Sequence, residues 1–111
     1  MSSRITIRQP AERDMEEITD YLADRNPDVA DRFVQSAHET FDQLLQLPGL
    51  GAPREYDNPK LEGMRMRPIR GFEKYLIFYK PTDTGIDIIR VLHSHRDIEG
   101  VFKIADRKSV V

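Results

Sequence analysis

Five consecutive apolar residues, Tyr75-Leu-Ile-Phe-Tyr79, stand between charged and turn-forming neighbours. A run of that length without polar alternation reads as a central strand buried on both faces. It sets the frame for what lies on either side. Met64 to Arg70 reads as a strand before it, joined by a tight turn at Gly71-Phe72-Glu73. Pro68 lacks a backbone donor and places that strand at an edge, or marks a bulge. After the central run, Pro81-Thr-Asp-Thr-Gly85 is a hairpin loop, and Ile86 to His93 is the last long strand. Three strands joined by hairpins make an antiparallel meander.

Upstream the period is different. Ile5 and Ile7 alternate with Arg4, Thr6 and Arg8, which predicts a short strand with one buried face. Pro10 stops it and suits the first turn of a helix. Ala11, Met15, Ile18 and Leu22 then fall on one helical stripe. Asn26-Pro27 is a restart signal, a capping residue followed by proline at the first helical position. Ala30, Phe33, Ala37, Phe41, Leu44 and Leu45 form a second stripe, which Pro48-Gly-Leu-Gly-Ala-Pro53 ends near Leu47. Two helices with so short a link form an antiparallel hairpin. The loop from Pro48 to Gly63 is long for a compact domain, so it either carries function or packs as an ordered segment. Ile98 to Ile104 is a short helix or strand, and 105–111 reads as a frayed tail.

The element order is β-α-α-β-β-β. The expected fold is a two-layer α+β domain spanning residues 1–104, with the helix hairpin packed on a small antiparallel sheet that the first strand joins. The absence of cysteine excludes a disulfide scaffold or a thiolate zinc site. No stretch approaches the roughly 18–20 apolar residues that span a bilayer, and the N-terminus lacks the apolar region of a signal peptide. A cytoplasmic protein without a membrane partner is the expectation. The net charge of −2 hides a division. From Glu12 to Arg32, eight acids against three arginines leave −5; from Lys60 to Lys80, six bases against two acids leave +4. A basic segment of this kind suits an anionic partner, or is ordinary solvated surface.

Three clusters can carry chemistry. Arg65, Arg67 and Arg70 offer guanidinium groups to phosphate, or protect an edge strand from aggregation. Arg65 and Arg67 share a face, and Arg70 joins them only if Pro68 sits in a bulge. His93, His95, Arg96 and Asp97 follow the last strand. A metal site there is poorly supported by the spacing. Acid–base chemistry by a histidine is one reading, and a cap for the next helix from Asp97, which pairs with Arg96, is the other. Tyr75 and Tyr79 are either proton donors or core residues with satisfied hydroxyls. There is no P-loop, dinucleotide fingerprint, serine-hydrolase elbow or His-Glu-x-x-His motif. No cofactor or metal is implied.

Taken together, the segments resemble the ParE/RelE superfamily, the toxin halves of type II toxin–antitoxin pairs. The matching pieces are Ala11-Glu-Arg-Asp-Met-Glu-Glu-Ile18 with Tyr21-Leu22, Pro27 to Leu47 with Pro48-Gly49, Leu61-Glu-Gly-Met-Arg65, Tyr75 to Tyr79, and Arg90-Val-Leu-His93 with Arg96-Asp97. Their order and spacing cover about residues 4 to 104. The resemblance implies a cognate antitoxin whose disordered tail folds over the toxin in a hetero-oligomer. Leu61, Met64, Met66 and Phe72 are candidates to line the apolar groove that such binding needs. It also implies one of two targets. ParE-like members poison DNA gyrase, whereas RelE-like members are ribosome-dependent endoribonucleases cutting mRNA, for which Arg65, Arg67, His95 and Arg96 are the candidates here. Phe102 stands where a RelE-like tyrosine would fall, and a phenyl ring transfers no proton. The negative net charge also suits the ribosomal A site poorly. Both favour the gyrase branch, with Arg65, Arg67, Arg70, Arg90, His93, His95 and Arg96 as candidate target contacts. A third reading is an interaction protein on the same fold without toxicity.

Overall fold

The computed structural model describes residues 3–103, so the expected tail at 105–111 lies outside the described residues. Strand β1 (Arg4–Ile7) leads into helix α1 (Gln9–Arg25), with Pro10 in its first turn. Helix α2 (Pro27–Gln46) begins one residue later. Asn26 closes α1 through its backbone N–H, which donates to Leu22, and opens α2 through its side-chain oxygen, which accepts from the Asp28 N–H. One extended residue thus serves two helix ends that would otherwise leave orphan backbone groups.

The chain then passes through β2 (Ala52–Pro53) and a single 3₁₀ turn (Pro59–Leu61) into β3 (Arg65–Ile69), β4 (Phe72–Thr82), β5 (Gly85–His93) and the short helix α3 (Ile98–Phe102). The five strands form one sheet in the order β1-β5-β4-β3-β2. The meander is antiparallel as expected, but β1 pairs with β5 in parallel, from Arg4 opposite Gly85 to Ile7 opposite Ile88. The sheet is therefore mixed. A parallel pair needs a long crossover, which the helix hairpin and meander together supply.

Two irregularities shape the sheet. Between Pro68 and Ile69 the β3–β4 register shifts, so that Pro68 lies opposite Leu76 and Ile69 opposite Phe72. The β2 pairing ends at Met66, so Pro68 has no strand on its other side and its missing donor costs nothing. In β5 the register shifts between Phe78, opposite Arg90, and Tyr79, opposite Ile88, leaving Ile89 without a partner. This is a bulge, which bends a strand and re-aims its side chains.

The central run is buried on both faces. Ile77 and Tyr79 belong to the inner core, with Ala11, Phe33, Ala37, Phe41 and Leu44 of the helices and Ile86, Ile88 and Val91 of β5. Phe78 belongs to an outer core with Met64, Ile89, Leu92 and Phe102. Each fully buried Phe or Ile contributes roughly 1.5–3 kcal/mol of apolar transfer. Tyr56, Leu61, Ile98 and Val101 pack against the outer core, so α3 and the long loop cover the sheet face the hairpin leaves bare.

That loop is ordered by β3 and β4. The buried Tyr79 hydroxyl donates to the Pro48 carbonyl (2.6 Å) and accepts from the Gly51 N–H (2.8 Å). Arg65 donates to the carbonyls of Gly51 (2.8 Å) and Gly49 (3.1 Å). A Cβ on Gly51 would stand 2.7 Å from the Tyr79 hydroxyl and 2.8 Å from the Met66 carbonyl, so the close approach requires glycine.

Candidate target-binding site

The candidates do not form one cluster. Arg65 and Arg67 stand opposite Tyr79 and Ile77 on the helix side of the sheet. Arg65 is spent on loop carbonyls, while Arg67 is half-buried beside it in β3. Arg70 lies beyond β3, exposed, with its N–H 3.5 Å from the Thr40 hydroxyl. Tyr75 and Tyr79, which pair with His93 and Arg65 respectively, are four residues apart along β4, about 13 Å at a strand's rise. Arg65 therefore does not share a site with His95 and Arg96.

Arg90 has a different place. Its guanidinium makes a two-point contact with the buried carboxylate of Asp14 on α1, from Nε at 2.6 Å and Nη2 at 2.8 Å. The same carboxylate accepts the Val91 N–H at 3.0 Å. Its hydrogen bonds to the Asp14 carboxylate hold Arg90 above the ordinary arginine value, against the opposing pull of burial. Past Ile88 the strand has no β1 neighbour, and Asp14 supplies the acceptor that a neighbouring strand would have given. Sequence reasoning counted Asp14 only as one acid among eight. A signal was present: it lies three residues after Ala11 and four before Ile18, on the buried stripe, where an acid needs a partner.

At the end of β5 the histidines meet. His93 faces Tyr75 across the β4–β5 pair, with ring centres 5.0 Å apart and the rings edge-on. The His95 ring lies 4.9 Å from His93, and the His95 N–H donates to His93 Nδ1 at 3.1 Å. His95 and Arg96 are exposed. Asp97 caps α3, its carboxylate accepting the Gly100 N–H at 3.1 Å, as the capping reading expects. A small cleft of about 90 Å³ joins Asp14, Glu17 and Ile18 to Val91, His93 and Arg96. Among the described residues no group of three or more histidine, aspartate or glutamate side chains is placed to hold a metal ion.

The four residues expected to line an apolar groove do not share one face of the sheet. Met64 is buried in the outer core, with Leu61 and Met66 packed against it. Phe72 is on the opposite face, edge-on to Phe33 at 5.4 Å. An open groove of about 400 Å³ runs between α1 and α2 beside β1. Ile7, Met15, Val34 and Phe41 line it together with Glu12, Glu16, Asp20, Thr19 and His38. Three of the eight acids of the −5 segment, Glu12, Glu16 and Asp20, thus border an apolar concavity. No helix among the described residues is long and apolar enough to cross a membrane.

The helix hairpin laid on a small mixed sheet has a counterpart among solved structures. A solved structure titled "Chromosomal ParDE TA system from P. aeruginosa" shares it, with a TM-score of 0.65 over 84% of this chain and 96% of that one. At 24% identity that likeness is one of fold. Among curated proteins none matches. Residues 5–98 match the family described as "ParE toxin of type II toxin-antitoxin system, parDE". The chain belongs to that ParE toxin family, and the resemblance read from its sequence is confirmed.

Proposed function

We propose that the chain is a cytoplasmic ParE-type toxin that inhibits DNA gyrase and is neutralised by a cognate antitoxin bound in a hetero-oligomer. The observation that carries the reading is the family match across residues 5–98. Phe102 supports the gyrase branch over the nuclease branch. Its ring is buried, 5.0 Å from both Phe78 and Tyr56, and serves the outer core rather than presenting a proton-transferring group. The four nuclease candidates are divided between two regions of the sheet, which argues in the same direction.

For the antitoxin, the groove between α1 and α2 is the best-matched surface. Its apolar floor and bordering acids suit an amphipathic segment that flanks apolar anchors with lysine or arginine. Among the candidates, the target contact falls to exposed Arg70 and Arg96 with His95, and to half-buried Arg67.

The test is a supercoiling assay with purified gyrase and antitoxin-free chain, scored also for cleaved DNA. Loss of supercoiling with accumulated cleavage is expected. Full gyrase activity in a molar excess of folded chain would overturn the reading and turn attention to ribosome-dependent mRNA cleavage.

A further inference from the structure

Where β5 runs out, the molecule exposes rings and cations together. Tyr75, His93 and His95 form a ladder of ring contacts at 5.0 and 4.9 Å. On the last turn of α1, Tyr21 is 52% exposed, a large value for an aromatic side chain. The guanidinium carbon of Arg25 lies 4.1 Å from the centre of the Tyr21 ring, a cation–π stack. Glu17 and Ile18, one turn before Tyr21 on α1, line a cleft with His93 and Arg96, which places the helix end beside the ladder.

The strand ends add charge. The Ser94 N–H donates to the Lys74 carbonyl at 2.7 Å, so the start of β4 lies against the turn that carries His95 and Arg96. Lys74 and Arg96 are exposed, as is Arg70 at the end of β3. Two acids of these turns are committed to their own backbone, while exposed Glu17 of α1 borders the cleft with His93 and Arg96. Glu73 accepts the Gly71 N–H at 2.8 Å, and Asp97 accepts from Gly100.

We infer that this end of the sheet binds single-stranded nucleic acid, with unpaired bases stacked on Tyr21 and His95 and the flanking phosphates against Arg25 and Arg96. Exposed rings interleaved with cations are the recurring platform for unpaired strands, because every base has a π-face and every linkage a charge. A duplex buries those faces in its own stack and leaves nothing for the rings to meet. The inference rests on the gyrase reading only for the source of the strand, since cleaved DNA offers frayed ends to a protein that traps it.

The measurement is fluorescence anisotropy of a labelled twelve-nucleotide oligothymidine titrated with the full chain at low salt, without gyrase. Binding is expected, and Tyr21→Ala or His95→Ala should each weaken it by about 5- to 100-fold. Tyr21→Phe keeps the ring and should restore it. Arg25→Ala and Arg96→Ala should each lower the slope of log affinity against log salt by about 0.7. No binding at about 0.1 mM chain, equal affinity for a duplex of the same length, or an unchanged Tyr21→Ala variant of native stability overturns the inference. So does loss of gyrase binding in Tyr21→Ala without any oligonucleotide binding, which would make the surface a protein contact. Gyrase inhibition without oligonucleotide binding overturns this inference and leaves the gyrase reading intact. Oligonucleotide binding with unaffected gyrase supports it and removes that reading.

Discussion

Truncating Asp14 should be among the costliest polar changes in the described residues. In Asp14→Ala the Arg90 guanidinium, only 22% exposed, loses both contacts, and the Val91 N–H loses its acceptor. Breaking a buried ion pair from one side costs about 3–5 kcal/mol, and an orphaned buried N–H about 1–3 kcal/mol. Residual exposure lets water reach the guanidinium, so the expected total is about 3–5 kcal/mol. That is a large share of the roughly 5–15 kcal/mol that holds a domain of this size. Arg90→Ala should cost a similar amount, because the 7%-exposed carboxylate is then left with one donor. The double variant should fall short of the sum by about 2 kcal/mol. Asp14→Asn keeps an acceptor for Val91 and should lie between wild type and Asp14→Ala. Urea unfolding of the four chains of the cycle, with slopes checked for constancy, gives the coupling directly. Additivity within about 0.5 kcal/mol, or a cost below about 1 kcal/mol for either single change, would refute the argument.

Gly51→Ala should destabilise by about 1–3 kcal/mol, because the added methyl meets the Tyr79 ring and the Met66 carbonyl; an unchanged urea midpoint would contradict this. Tyr79→Phe leaves the buried Gly51 N–H unpaired, with an expected loss of about 1–3 kcal/mol and faster amide exchange confined to the loop after α2. Asp97→Ala removes the cap of α3 at about 1 kcal/mol and should raise exchange at Gly100 and Val101 before any strand amide. Burial raises the hydroxyl pKa of Tyr56 and of Tyr75 above 10.0. The folded state holds those protons more tightly than the unfolded chain, so their contribution is fully present below pH 10.0 and is lost as pH rises through the folded values. An unfolding titration above pH 10.0 should show that loss, and it should shrink in Tyr56→Phe with Tyr75→Phe.

What the sequence disclosed were features written in neighbouring residues. Asn26-Pro27 announces the end of one helix and the start of the next, and Asn26 makes both caps. The unbroken Tyr75–Tyr79 run announces a strand between two cores, and Asp97 announces a cap. What stayed hidden depends on residues far apart. The parallel β1–β5 pair leaves no local mark, since either direction buries Ile5 and Ile7. Arg65 and Arg90 look alike in the sequence as free cations on strands. Only the fold shows one holding Gly49 and Gly51 and the other holding Asp14. The groove was expected from Leu61, Met64, Met66 and Phe72 because apolar residues near a loop are ambiguous between a binding surface and cover. In the fold Tyr56 and Phe102 share the outer core with the first three, while Phe72 packs against Phe33 on the other face.

The pairing of β1 with β5 has a consequence for how the protein comes into being. Arg4 meets Gly85, and Asp14 meets Arg90, across about 80 residues of sequence. A ribosome delivers β1 and both helices long before the strand that receives them. Until then the first strand has no sheet to join and the Asp14 carboxylate has no cation. Contacts this distant also close slowly, because the entropy of the intervening chain is lost before they form. A message cut short before Gly85 therefore yields a chain without its sheet junction, and a cell making such fragments would make no folded toxin from them.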